Sequence, residues 1–188
     1  MRTRALAAAV EEFAERGFEA GSLRSVARRA GLSQPLISYH FGSKQALWEA
    51  VKEEVVRRAS VRLTQAIGRH ARDEDLVLGL MSAFFEHAHA SRTTRRIGLW
   101  ALLLGDATFS GEAETLQRVA GLVRQAQERG ALRNDVPAEH LVWIFRGAVY
   151  DWLDNRDRVC EVFGWDPEDS ELDTRFLESL RTLGAVGR

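Results

Sequence analysis

Apolar side chains recur at helical spacing through the first part of the chain. Leu6, Val10, Phe13 and Ala14 occupy positions i, i+4, i+7 and i+8, which is typical of one face of an amphipathic helix. Gly17 is predicted to end this helix, because glycine readily adopts the left-handed conformation found just past a helix.

Two short helices and a long one are predicted to follow, each opened by a serine. A serine side chain at this position can accept a hydrogen bond from a free N–H of the first helical turn. Ser22 fits this role for a helix over 23–30, and Ser33 fits it for a helix over 34–40. Ser43 opens the long helix, whose apolar residues recur every four positions at Leu47, Val51 and Val55.

The rest of the chain has the same helical periodicity, with Gly, Asp and Pro in the connecting segments. Helices are predicted over residues 73–90, 94–104, 110–130, 135–158 and from 170 onward. The last one begins with Ser170 and Asp173 at the spacing of a capping box, with Asp in place of Glu. No alternating Val, Ile and Thr runs framed by turn signals are found, so strands are not expected. The pattern predicts an all-α protein of about nine helices.

Composition agrees with this fold and excludes several classes of protein. Of 188 residues, 45% are hydrophobic and only three are proline, which suits a helical chain with a sizeable core. The single cysteine, Cys160, excludes an internal disulfide framework and is expected to be an apolar filler. The most apolar run, 97–104, is far shorter than the roughly 20 residues of a membrane span. No signal peptide is visible, so we expect a cytoplasmic protein without a membrane partner.

The charge is unevenly distributed along the chain. Residues 1–48 contain seven basic and four acidic side chains, a net charge of +3, whereas the remaining residues carry a net charge of −4. A basic head on an acidic body is typical of a protein that contacts nucleic acid through the head alone.

The two short helices, with 31–33 between them, have the spacing of a helix-turn-helix. Gly31 is expected in the left-handed conformation that such a turn requires. The residues predicted to form the core between the helices are Val26, Ala27, Ala30, Leu32, Ile37 and Phe41. Spacing alone does not distinguish this motif from a plain helical hairpin.

The residues themselves distinguish the helix-turn-helix from a plain helical hairpin. The chain contains Phe13-Ala14-Glu15-Arg16-Gly17-Phe18, then Ser25-Val26-Ala27-Arg28-Arg29-Ala30-Gly31-Leu32-Ser33, and finally Tyr39-His40-Phe41-Gly42-Ser43-Lys44. With these motifs, the stretch from Leu6 to Val51 resembles the DNA-binding domain of the tetracycline repressor (TetR) family of bacterial regulators. The resemblance covers a quarter of the chain, and its last motif is highly specific.

The resemblance implies roles for individual residues of the helix-turn-helix. Gln34, Pro35 and Leu36 would read bases, since Gln suits adenine and the apolar pair suits a thymine methyl. Arg24 would contact a base or a phosphate. The full predicted DNA-binding set is Arg24, Ser33, Gln34, Pro35, Leu36, Ser38, Tyr39, His40 and Lys44. The alternative for His40 is a local hydrogen-bonding role. The basic arm over 1–4 is expected to be frayed, with a minor-groove contact as the alternative.

The resemblance further implies a helix-turn-helix domain over 1–46 and a ligand-binding and dimerisation domain over 47–188. The last two helices would pair across a two-fold axis into a four-helix bundle. Two apolar stripes are predicted to form this homodimer interface. They are Leu141, Phe145, Ala148 and Trp152 in one helix and Leu172, Phe176, Leu180 and Leu183 in the other. The alternative is that these stripes are buried within one chain.

A small-molecule effector of unknown identity is implied as well, bound among the C-terminal helices. The residues proposed to line its pocket are mostly aromatic. They are Met81, Phe84, Phe85, His87, Trp100, Phe109, Trp143 and Tyr150, each of which could instead be ordinary core. His87 and His89 are two residues apart and point away from each other on a helix, so no metal site is expected. No cofactor is expected either.

The sequence therefore predicts a dimeric regulator, by family default a repressor. It would bind a palindromic operator in double-stranded DNA and be released by its ligand. One alternative is an all-helical enzyme, but the chain has no Gly-rich phosphate loop, no Gly-x-Ser-x-Gly and no His-Glu-x-x-His. The other alternative is an adaptor with a vestigial DNA-binding head, which the intact Tyr39, His40 and Lys44 argue against.

Overall fold

The computed structural model describes residues 1–70, 76–90, 92–107 and 109–185. These residues form nine helices and no strand, which confirms the predicted all-α fold. The helices are α1 (Arg2–Ala20), α2 (Leu23–Ala30), α3 (Gln34–Phe41), α4 (Lys44–His70), α5 (Leu76–His89), α6 (Arg92–Leu103), α7 (Glu112–Glu128), α8 (Ala138–Phe163) and α9 (Leu172–Gly184).

The chain is divided into two compact units by its packing. Unit 1 comprises Met1–Ser60 and Ser91–Ala113, and unit 2 comprises Val61–Ala90 and Glu114–Arg188. Unit 1 extends beyond the helix-turn-helix domain predicted over 1–46, because Leu47, Trp48 and Val51 of α4 are buried in the same core as α1. The functional boundary predicted at residue 46 stays a prediction.

In unit 1, α1 packs against α2, α3 and α6. Phe13 of α1 meets Trp48 of α4 edge-on, with ring centroids 5.5 Å apart. Gly17, with φ 74° and ψ 176°, ends the regular part of α1 as predicted, and a short helical turn beyond this kink reaches Ala20.

The break in α1 is stabilised by side chains of α6. A helix that stops leaves its last carbonyl groups without intrahelical donors. The Ala14 carbonyl accepts hydrogen bonds from Arg96 Nε at 2.7 Å and from Trp100 Nε1 at 3.2 Å. The kink therefore provides the acceptor that holds α6 against α1.

Unit 2 has a core built from α5, α7, α8 and α9. Its buried members include Phe85, Val123, Trp152 and Leu180. Trp152 of α8 and Phe176 of α9 stack with ring centroids 4.5 Å apart. Cys160 is free and buried in this core, as expected of an apolar filler.

The ends of the later helices differ from their predicted positions. Asp73, predicted to open α5, lies outside the described residues. The helix predicted to stop at 158 continues to Phe163. The capping box predicted at the start of α9 is wrong, because the Asp173 carboxylate accepts hydrogen bonds from Trp152 Nε1 (2.8 Å) and Arg156 Nε (3.2 Å) instead. Over the described ranges, none of the helices is long and apolar enough to cross a membrane.

Candidate nucleic-acid interface and ligand cavity

α2 and α3 form a helix-turn-helix whose first helix is fixed at both ends by local interactions. Ser22 and Ser25 cap each other: each backbone N–H donates to the other residue's Oγ over 3.1 Å. Gly31 ends α2 with φ 61° and ψ 40°, which confirms the left-handed turn. Ser33 precedes α3 as predicted, but its side chain makes no capping hydrogen bond.

The predicted core between these two helices is confirmed. Val26 and Ile37 are fully buried, and Ala27, Ala30 and Phe41 are nearly so. Leu32, in the turn, packs partly buried against the same cluster. Because one side of α3 is held in this core, its other side faces away from it.

The outward side of α3 holds the residues predicted to contact DNA. Tyr39 is 83% exposed, and Gln34 and Pro35 are exposed at the start of the helix. Half-buried positions are Leu36, Ser38 and His40. The His40 ring meets the Tyr39 ring edge-on, with centroids 5.4 Å apart. The surface therefore combines amide, hydroxyl and aromatic groups that can reach base edges and phosphates.

Lys44 is oriented by contacts with the end of α1. Its Nζ donates to the Glu19 carbonyl over 2.9 Å and lies 4.5 Å from the centroid of the Phe18 ring. An ammonium group has several N–H donors, so this bond fixes the side chain and still permits a phosphate contact.

Three arginines of α2 differ in their surroundings. Arg24 and Arg28 are exposed. Arg29 Nη1 donates to Glu15 Oε1 of α1 over 3.0 Å, and this hydrogen bond lowers the pKa of Glu15. Arg28 was not among the predicted DNA-binding residues, although its position four residues after Arg24 places both on one helix face.

The basic arm is helical, so the predicted fraying is wrong. Arg2 and Arg4 belong to the first turn of α1. The Arg2 guanidinium lies 5.1 Å from the centroid of the Phe41 ring, and Arg4 Nη2 donates to the Gly31 carbonyl over 3.2 Å. These contacts attach the start of α1 to the helix-turn-helix.

Unit 2 contains an apolar cavity of about 60 Å³. The described residues that line it are Leu63, Met81, Phe84, Leu116, Val119, Val123, Leu132, Val142, Phe145, Arg146, Val149 and Leu180. Met81 and Phe84 were predicted for a ligand pocket, and Tyr150 stacks on Phe84 with ring centroids 5.7 Å apart. Most of the lining was missed, because aliphatic residues at helical spacing give no sign of facing a cavity rather than a filled core.

The other residues predicted for the pocket lie elsewhere. Phe85 and His87 are buried in unit 2 but do not line the cavity. Trp100 and Phe109 pack against the core of unit 1. Trp143 is 60% exposed. Within the described ranges, no group of three or more His, Cys, Asp or Glu side chains is placed to hold a metal ion.

The predicted dimer stripes are packed largely within the chain itself. Leu141, Trp152, Leu172 and Leu180 are buried in unit 2, and Phe145, Ala148 and Phe176 are partly buried against them. Leu183, by contrast, is 66% exposed. Other exposed apolar side chains of α8 are Trp143, Ile144, Val162 and Phe163. An interface role for any of these residues stays a prediction.

A helix-turn-helix with an outward-facing second helix, in a chain that also forms a helical unit around an apolar cavity, defines a helix-turn-helix transcriptional regulator. Residues 5–51 match the sequence profile of the family described as bacterial regulatory proteins, tetR family. The chain belongs to this TetR family.

The named relatives include both a repressor and an activator of transcription. The HTH-type transcriptional repressor NicS of Pseudomonas putida is 25% identical over 99% of this chain and 91% of its own length. The HTH-type transcriptional activator FasR of Mycolicibacterium smegmatis is 30% identical over 68% of this chain and 53% of its own length.

The fold has close counterparts among solved structures. A TetR family transcription regulator from Marinobacter aquaeolei has a TM-score of 0.77 and 22% identity, covering 99% of this chain and 96% of that one. The family match and the named relatives identify the chain as a DNA-binding transcriptional regulator rather than an enzyme.

Proposed function

We propose that the protein is a dimeric repressor that binds a near-palindromic operator and leaves it when a small molecule occupies the cavity of unit 2. The observation that supports this most directly is the exposed outer side of α3, opposite a fully buried Ile37. Such a protein works in the cytoplasm, where bacterial chromosomal DNA is found.

The proposed contacts follow from the chemistry of the exposed side chains. Gln34 can bridge the N6 and N7 atoms of adenine, and Arg24 can bridge O6 and N7 of guanine. Pro35 and Leu36 offer apolar contact to a thymine methyl. The groups proposed to contact phosphate are Ser33, Ser38, Tyr39, His40 and Lys44.

A dimer is proposed because one recognition helix reads only half of an operator. Two copies of α3 in successive major grooves lie roughly 34–36 Å apart. The exposed Trp143 and Ile144 of α8 and Leu183 of α9 offer an apolar surface for a two-fold interface.

Release is proposed to depend on α4, which contributes to both units. Trp48 of this helix is buried in the core of unit 1, and Leu63 lines the cavity of unit 2. A ligand that displaces Leu63 therefore acts on the helix that follows the helix-turn-helix. The free energy available is limited to the ligand's difference in affinity for the two arrangements.

Operator binding is tested by fluorescence anisotropy on DNA from the flanks of the protein's own gene, over a range of salt concentrations. We expect sequence-selective binding that weakens as salt rises, because phosphate contacts release counterions. Gln34→Ala is expected to reduce discrimination between operator and scrambled DNA. Tyr39→Phe, which removes only the hydroxyl group, is expected to weaken binding to both.

Arg158→Ala, at an exposed position of α8, serves as the control. Equal affinity for operator and scrambled DNA at every salt concentration would overturn the proposal. A promoter reporter separates repression from activation, since NicS and FasR are named for opposite effects.

A further inference from the structure

The first turn of α1 places a positive charge beside the end of the recognition helix α3. The Arg2 guanidinium lies over the ring of Phe41, the last residue of α3, with its Cζ 5.1 Å from the ring centroid. A cation in this position is attracted by the negative face of the ring. Phe41 is buried in the core between α2 and α3, so the ring that orients Arg2 is itself fixed.

Arg2 lies next to side chains that are already proposed to contact phosphate. The Phe41 ring meets the His40 ring with centroids 6.5 Å apart, and the His40 ring meets the Tyr39 ring at 5.4 Å. Arg2 is exposed, as is Tyr39. A row of three rings therefore joins Arg2 to the outer side of α3.

Arg2 and Arg4 use their N–H groups differently. Arg4 Nη2 donates to the Gly31 carbonyl over 3.2 Å, which attaches the first turn of α1 to the turn between α2 and α3. The contact of Arg2 with the Phe41 ring takes up none of its donors in a hydrogen bond, and over the described ranges no carboxylate pairs with Arg2. A guanidinium has five N–H donors, in a planar arrangement that matches phosphate oxygens. The donors of Arg2 are therefore available to DNA.

Lys44, one of the proposed phosphate contacts, is held in a similar way. Its Nζ lies 4.5 Å from the centroid of the Phe18 ring, which packs against the core of unit 1. A long side chain that is already oriented loses less conformational entropy when it binds. Both cations are thus prepared for an anion by an aromatic ring of the same core.

We propose that Arg2 is a further DNA contact, which binds a backbone phosphate beside those bound by Tyr39 and His40. This inference rests on the proposed function only in taking the outer side of α3 as the surface that faces DNA. Because the first turn of α1 is helical and attached through Arg4, the contact is made by a fixed side chain on the phosphate backbone. Such a contact strengthens binding to any DNA sequence and carries no base preference.

Fluorescence anisotropy with the full chain, on operator and on scrambled DNA of equal length, tests this contact over a range of salt concentrations. Arg2→Met keeps an unbranched side chain without the charge. We expect it to weaken binding to both DNAs by a similar factor, about threefold or more at low salt. The slope of the logarithm of the binding constant against that of the salt concentration should become shallower by about 0.9 for each chain bound.

Two further variants serve as controls for the Arg2→Met measurement. Arg2→Lys keeps a cation over the ring and is expected to retain the wild-type salt slope. Arg158→Met removes an exposed arginine of α8, and should retain both the slope and the affinity. Urea denaturation checks that the variants are folded. A shallower slope in Arg2→Lys would contradict the proposal, since this variant keeps the charge.

An unchanged salt slope in Arg2→Met would overturn the proposal, because a purely structural contact does not change the number of counterions released. Weaker binding to the operator alone would mean that Arg2 reads bases, which would equally overturn the phosphate assignment. If the wild type selects its operator but Arg2→Met keeps the wild-type slope, only this inference is overturned. If the wild type does not distinguish operator from scrambled DNA but Arg2→Met has a shallower slope, only the regulator proposal is overturned.

Discussion

Gly31 has the backbone conformation that joins the two helices of the helix-turn-helix. A Cβ atom added there would meet no atom within 4 Å, so steric contact with neighbours would not contribute to the effect of a substitution. Its φ of 61° lies in the left-handed region, which costs an L-residue with a side chain roughly 1–2 kcal/mol. We expect Gly31→Ala to lower the free energy of unfolding by about this amount, measured by urea denaturation.

Gly121→Ala is the matched control, with the opposite expected sign. Gly121 lies inside α7, and its added Cβ would also meet no atom within 4 Å. Alanine is a better helix former than glycine by about 1 kcal/mol, so this variant should be more stable than the wild type. A destabilised Gly121→Ala would contradict the conformational explanation for both sites.

Asp106 joins α4 to the segment that follows α6. Its carboxylate accepts hydrogen bonds from Trp48 Nε1 at 2.9 Å and from Lys52 Nζ at 2.8 Å. Burial alone would lower the pKa of Lys52, but its hydrogen bonds to Asp106 and Glu49 raise it overall. The bond from Lys52, followed by that from Trp48, lowers the pKa of Asp106.

Asp106→Asn is expected to lower the free energy of unfolding at pH 7 by about 1 kcal/mol, because buried Lys52 loses a charged partner. The stabilisation that Asp106 provides is fully present above the ordinary carboxyl pKa of 3.8. It is lost as the pH falls through the lowered value in the folded state. The difference between wild type and variant should therefore shrink below about pH 4, as measured by urea denaturation at pH 7 and pH 3.

Asp157→Asn changes an exposed carboxylate of α8 and serves as the control, with no expected difference at either pH. A constant gap between wild type and Asp106→Asn from pH 7 to pH 3 would contradict the role assigned to the charge.

The helices that could be predicted closely are those whose ends depend on neighbouring residues. The bounds of α2 follow from Ser22 and Gly31, which act within the helix itself. The start of α9 could not be predicted, since Asp173 binds Trp152 and Arg156, which lie 21 and 17 residues away. Partners so distant in sequence are set by packing and leave no local signal.

The two candidate sites also differ in how far they could be predicted from the sequence. The outward side of α3 could be predicted because the buried residues behind it recur at helical spacing in one short segment. The cavity could not, because periodicity identifies a buried face without identifying what covers it. Trp100 illustrates this limit: its indole is directed to the Ala14 carbonyl in unit 1 by the break at Gly17, and not to a ligand pocket.

Dimer formation is expected to depend on the apolar side chains that α8 and α9 leave exposed. Ile144 is 57% exposed and Leu183 is 66% exposed, so acidic residues at these positions should leave unit 2 folded. We expect the double variant Ile144→Glu, Leu183→Glu to sediment as a monomer, because charge repulsion and desolvation oppose a two-fold apolar interface.

The same double variant tests whether operator affinity depends on joining two helix-turn-helix domains in one dimer. Once one head is bound, the second binds at a high effective concentration, which strengthens binding by about a hundredfold or more. Affinity for the complete operator should fall by that factor, whereas affinity for an isolated half-site should be unchanged. Leu102→Glu alters a leucine of α6 that is 64% exposed, and should retain both the dimer and full operator affinity. If the double variant remained a dimer with full operator affinity, the dimer interface would lie on another face of the chain. The apolar residues of α8 and α9 would then contribute only to packing within one chain.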